Sequence, residues 1–156
     1  TLTDKAVGVL VAAPDAKVLS YNDGRVTLDY GHTSWQPPAK EEGYHLEDPK
    51  AEAFVKLVVE RAEIPTDRLV EVALDNARKT DPKLRVVRRS TRTVNGVRMA
   101  VVEFELVSSG VPITFVGHYY GGPEGAVQIL GWSSRNQARD YRAQFDLLIE
   151  GFRLVK

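Results

Sequence analysis

Cysteine is absent from the 156 residues of this chain, which removes disulfides, zinc–thiolate sites and thiol nucleophiles together. Neither sign of charge is in excess. Twenty-one basic residues balance 21 acidic ones, so no global field draws the chain toward nucleic acid or an anionic membrane. Long hydrophobic runs are missing too. The longest, Ala6 to Ala13, falls well short of the ~20 residues needed to cross a bilayer, so no transmembrane segment is expected. Histidine is scarce: His32, His45 and His118 lie far apart, none in a metal-ligand spacing such as HxxxH. Neither a metal nor a cofactor is therefore expected. No GxSxG nucleophile elbow occurs. The glycine-rich stretch 121–125 lacks the lysine and the strand-to-helix context of a phosphate-binding loop, and reads as a hairpin loop.

What is present is ordinary soluble-domain composition, 43% hydrophobic and 27% charged. The length fits a single globular domain, residues 1–156, large enough to bury a core. The chain begins at Thr1 rather than Met. A trimmed or mature chain is the expectation, with a signal peptide or lipid anchor removed upstream of Thr1.

Strand-like runs at 6–12, 16–21 and 25–30 are punctuated by Pro14-Asp15 and by the turn Asn22-Asp23-Gly24. Residues 31–49, rich in proline, glycine and carboxylates around Trp35, read as a long irregular loop. A further strand is expected over 53–64. Pro65-Thr66-Asp67 opens a helix with Thr66 as N-cap. Leu69, Val72, Ala73, Asn76 and Ala77 mark its buried face, and Asp81-Pro82 its end. The last helix begins at a capping box, Ser134 with Gln137. Its apolar stripe is Ala138, Tyr141, Phe145 and Leu148, and Gly151 stands at its C-terminal cap.

The strongest signal lies between these helices. Two strand runs meet at Asn95-Gly96, the preferred dipeptide of a two-residue hairpin. That turn sets Val94 opposite Val97 and, carried down the ladder, Val87 opposite Phe104. One face then holds Val87, Ala100, Val102, Phe104 and Leu106. The other holds Leu84, Val86, Val94, Val97, Met99 and Val101. Both faces are apolar, unlike a sheet with one wet side. The expected fold class is α+β, an antiparallel meander covered by helices on both faces in an αβα sandwich.

Candidate chemistry is sparse. Glu103 and Glu105 share a strand face, but Glu103 falls opposite Arg88, so a cross-strand ion pair accounts for it. His118, Tyr119, Trp132 and Tyr141 are candidate ligand contacts if a curved sheet wraps the last helix around a pocket, as in a helix-grip protein or enzyme. The plainer reading of His118 is a histidine satisfied at a strand end, and of Trp35 and Trp132 core or rim packing. Between Arg78 and Arg98 eight basic residues face one acid, Asp81. Arg85, Arg88, Arg89 and Arg92 are therefore candidate anion contacts. They divide between strand faces without interleaved aromatics, so nucleic acid is not the expected partner.

The order of these elements resembles the PsbP-like superfamily, which includes DcrB-type and related bacterial lipoproteins and a Ran-binding nuclear-import factor. Four features carry the resemblance: the run from Tyr30 to Trp35, the Asn95-Gly96 hairpin, the serine-capped final helix, and Gly151-Phe152-Arg153 before a last strand. Gly31-His32-Thr33-Ser34 stands where a proline usually precedes the tryptophan. The resemblance implies a non-catalytic accessory or binding domain, commonly exported in bacteria, with a protein or small-molecule partner that it does not identify. It transfers no functional residue.

Overall fold

Two backbone turns with left-handed residues set the long strands. Asn95 and Gly96 (φ 48° and 81°) and Ser109 and Gly110 (φ 51° and 79°) each join two strands with the twist that right-handed ladders require. A computed structural model describes residues 16–155; the strand expected at 6–12 lies outside the described residues. Among these, nine strands and two helices follow in order. They are β1 Val18–Tyr21, β2 Val26–Asp29, β3 Leu46–Glu47, β4 Ala53–Glu60, α1 Thr66–Arg78, β5 Arg85–Val94, β6 Val97–Ser108, β7 Val111–Gly122, β8 Gly125–Ser134, α2 Ala138–Ile149 and β9 Phe152–Leu154. A 3-10 turn, Arg135–Gln137, leads into α2.

The strands form two sheets, ordered β3-β4-β8-β7-β6-β5 and β1-β2-β9, with every strand pair antiparallel. The long loop at 31–49 is thus less irregular than its composition implies. It contributes β3 and a bridge from Gln36 to Glu47. Trp35 is buried, stacked on Phe145 at 5.5 Å, and its indole N–H donates to the Gln144 carbonyl.

Residues of the large sheet alternate between two apolar clusters. One joins Val55, Leu57, Met99, Val101, Val116, Val127 and Ile129 to Tyr141, Phe145, Leu148 and Ile149 of α2, and to Leu28 and Phe152 of the small sheet. The other joins Val102, Phe104, Leu106, Tyr119 and Ala126 to Leu69, Val70 and Leu74 of α1.

The hairpin register departs from expectation at one point. Ser90 pairs with Val101 and Arg88 with Glu103, but the ladder then shifts, so that Val86 faces Phe104 and Arg85 faces Glu105. A β-bulge at Val87 absorbs one residue. Val87 is left 40% exposed, while Val86 and Leu84 pack with the Val102–Phe104 cluster, opposite to their expected face. The bulge also moves Arg85 across the sheet.

Helix details differ where tertiary contacts compete with local ones. Thr66 is the first helical residue rather than the cap, because its hydroxyl accepts the Gly121 N–H at 2.9 Å. On α1 the buried residues are Leu69, Val70 and Leu74, and Val72 is 38% exposed. The Ser134 hydroxyl donates to the Gln137 side-chain carbonyl, so the pair does not close on backbone N–H groups as a capping box does. Gly151 does not adopt the left-handed conformation expected of a C-cap glycine. It is required because a Cβ there would lie 1.9 Å from the Asp29 carbonyl oxygen.

Candidate functional site

The register of four strands lays out the α1-facing side of the large sheet as a grid. Phe54, Trp132, Phe115 and Phe104 form one row across β4, β8, β7 and β6. Lys56, Leu130, Gly117 and Val102 form the next, and Val58, Gln128, Tyr119 and Ala100 the one beyond. Period-two alternation alone brings these side chains to one face.

The aromatic row is continuous. Ring centroids lie 5.9 Å apart for Phe54–Trp132, 5.7 Å for Trp132–Phe115 and 4.9 Å for Phe115–Phe104, the last pair within 4° of parallel. Tyr44 extends it by packing on Phe54 at 4.7 Å. Such cross-strand aromatic contacts each stabilise a sheet by roughly 0.5–1.5 kcal/mol. Here they also leave partly exposed rings at Phe54, Phe115 and Trp132.

Helix α1 covers only part of this face. Leu69, Val70 and Leu74 seat it near Tyr119 and Ala126. Its remaining inward positions, Ala73, Asn76 and Ala77, are too short to fill the space toward β8 and β4. The result is a groove of about 500 Å³, walled by Ala73, Asn76, Ala77 and Thr80. Its floor is Phe104, Leu106, Ile113, Phe115, Leu130 and Val58, with Lys56, Gln128 and Tyr119 at one end. A volume of this order falls within the range of small-ligand sites. Lys56 is the one charged side chain among the described residues that line it.

Tyr119 is fully buried and lies across Gly117. A Cβ on that glycine would sit 2.3 Å from the Tyr119 hydroxyl oxygen. The hydroxyl finds no hydrogen-bond partner within the protein, and burial pushes its pKa well above the usual tyrosine value.

The four candidate ligand contacts do not converge. Tyr119 and Trp132 face the groove side, whereas His118 and Tyr141 lie on the α2 side of the sheet. His118 is buried, and its pKa is pushed down to about 3 by desolvation and by the nearby Arg92 and Arg142 charges. It borders a space of about 10 Å³ between the sheet and α2, at the lower limit of the ~10–15 Å³ that a single water requires and far too small for an organic ligand. Tyr141 Oη lies 2.8 Å from Asp48 Oδ2 and 2.7 Å from Glu52 Oε1, so one proton is shared between two carboxylates. Burial and those two acids raise the Tyr141 pKa. Burial alone would raise Asp48, but N–H donors from Ala53, Glu52 and Lys50 and the Tyr141 hydroxyl hold it below the usual carboxylate range.

Three of the four candidate arginines share a face. Arg85 contacts Glu105 at 2.8 Å, Arg88 faces Glu103 in register, and Arg92 donates to the Asp146 carbonyl and lies 3.7 Å and 3.9 Å from the Asp146 and Glu150 carboxylates. Arg89 is on the other face, 3.0 Å from Glu71 of α1. Glu103 itself pairs with Arg142 of α2 rather than with Arg88. Arginine and carboxylate thus alternate.

Sequence reasoning passed over Lys56, Phe54, Phe104 and Phe115 as site residues. The signal for them was the period-two run of large apolar residues on successive strands, set against Ala73 and Ala77 on the facing helix.

No protein-family model matches the chain, and no curated protein matches it in sequence. Its fold is nonetheless similar to solved structures along nearly its full length. Cyanobacterial PsbP from Synechocystis sp. PCC 6803 superposes with a TM-score of 0.60 at 13% identity, over 95% of this chain and 98% of that one. LpqN, involved in cell envelope biogenesis of Mycobacterium tuberculosis, gives 0.60 at 9% identity over 93% and 88%. The protein PA94 of Pseudomonas aeruginosa, of unknown function, gives 0.56 at 10% over 93% and 86%. At these identities the likeness concerns the fold alone, and the fold is PsbP-like.

Proposed function

We propose that this chain is a non-catalytic binding module of a bacterial envelope, working outside the cytoplasm and receiving an apolar ligand or partner in the groove beside α1. The observation that carries this reading is the groove itself, about 500 Å³ over a floor of Phe104, Leu106, Ile113, Phe115 and Leu130. Soluble domains seldom leave contiguous apolar surface uncovered unless something binds it. The division of apolar residues into an α1 cluster and an α2 cluster supports an αβα sandwich within a single domain. LpqN, a fold neighbour involved in cell envelope biogenesis, supports an extracytoplasmic setting by analogy of fold. Among the described residues no helix is long and apolar enough to cross a membrane.

Binding of an environment-sensitive apolar dye such as Nile red tests this. Emission rises with the wild-type protein, and Ala77→Trp, which fills the groove from the α1 side, abolishes the rise. An unchanged signal in that variant defeats the groove as the binding site. The helix-grip alternative would need its ligand beneath the apolar face of α2, where the space bordered by His118, Phe145 and Leu148 is about 10 Å³.

A further inference from the structure

We infer that the groove is built for an amphiphile with one carboxylate head and an extended apolar tail, the head held between Lys56 and the Tyr119 hydroxyl. This rests on the groove being the binding site, and adds the chemistry of what it takes.

Two independent observations meet at one place. Lys56 and Gly117 flank Leu130 in a single register row, two inter-strand spacings apart, or about 10 Å. Tyr119 folds back over Gly117, which brings its hydroxyl into that same row. A buried tyrosine O–H normally has a partner, and this one has none within the protein. It is a donor held ready for an acceptor. Across Leu130 stands a lysine, which supplies three further donors and a full positive charge. An acceptor carrying negative charge and lying over Leu130 satisfies both.

The rest of the groove fixes the other end of the molecule. From Gly117 the floor continues along β7 through Phe115 to Ile113, four residues or about 13 Å, the length of an extended ten-carbon chain. Phe104 and Leu106 run beside it on β6. Among the described residues that line this arm none is charged, so a second ionic group along the tail would be left unpaired. A dicarboxylate is therefore disfavoured, and a long monocarboxylate suits the apolar floor.

Titration with decanoate and with decan-1-ol, followed by amide shifts of Gly117, Leu130 and Ile113, tests the assignment. Decanoate binds at least about tenfold more tightly than the alcohol, the factor expected of a charge-assisted hydrogen bond. Lys56→Met removes that advantage, lowering decanoate affinity at least about tenfold relative to that of decan-1-ol. Tyr119→Phe, checked for a native amide spectrum, weakens both ligands, since both accept from the hydroxyl. Equal affinities for acid and alcohol, or decanoate binding indifferent to Lys56→Met, overturn the carboxylate assignment while the groove reading stands. If neither ligand moves the three amides, the groove reading falls with it.

Discussion

The Tyr119 ring lies in the space that Gly117 leaves by lacking a side chain, its hydroxyl oxygen 2.3 Å from where a Cβ would stand. A methyl group there must push the ring off the sheet. Gly117→Ala should therefore destabilise the protein by about 1–3 kcal/mol, the usual cost of overpacking, read as a lower urea midpoint. Tyr119→Phe should do the reverse. It deletes a buried hydroxyl that has no protein partner, so the midpoint should rise, by up to about 1–2 kcal/mol. A clear loss of stability in Tyr119→Phe would mean that the hydroxyl is already bonded.

His118 makes stability acid-sensitive. Its folded pKa, about 3, lies below the ordinary 6.5, so between these values the unfolded chain holds a proton that the folded one lacks. Stability must then rise with pH through this window and be lost as pH falls from about 6.5 toward 3. Each pH decade is worth about 1.4 kcal/mol. In His118→Leu the slope of unfolding free energy between pH 6 and 4 should be shallower. An unchanged slope would show that the imidazole is protonated in the fold.

Tyr141→Phe removes a hydroxyl shared by Asp48 and Glu52. Asp48 keeps its backbone donors but loses one of the contacts that hold its pKa down. Its contribution, present above the unfolded pKa, should then fade at a higher pH on acidification. At neutral pH the variant should be about 1–3 kcal/mol less stable by thermal or urea unfolding.

The bulge separates two adjacent valines. Val86 packs in the α1-side cluster, whereas Val87 is 40% exposed. Val86→Ala should cost about 1–2 kcal/mol, and Val87→Ala should stay within about 0.5 kcal/mol. Equal losses would place Val87 in the core, as an unbroken hairpin register requires.

Much of the architecture was legible because short-range rules govern it. Asn95-Gly96 fixes its own turn, and the register it sets holds down to Arg88–Glu103. Beyond that point a bulge intervened that no local rule announced, and it carried Val86 to the α1 side and left Val87 exposed. The α1 face was misjudged by one position, because Val72 and Val70 are alike in sequence and only the sheet below selects between them. Gly151 was correctly picked out as special for the wrong physical reason, since the carbonyl that crowds it belongs to Asp29, distant in sequence. The groove was hidden for the same kind of reason. It is a mismatch between small residues on one element and large ones on another, and a mismatch exists only once the two are docked.

The small sheet has a consequence for how the chain acquires its structure. In it Leu28 of β2 is paired with Phe152 of β9, and both side chains belong to the same apolar cluster as α2. Contacts so far apart in sequence are entropically late, because closing the intervening loop must precede any gain from them. The side chain of Asn95, at the apex of the central hairpin, donates to the carbonyls of Glu150 and Phe152, so even that most local of turns is tied to the far end. The pairing of β2 on both its edges is not complete before residue 152 arrives. Folding should be slow and all-or-none, with the β1–β2 pair protected from hydrogen exchange only as long as β9 remains in place.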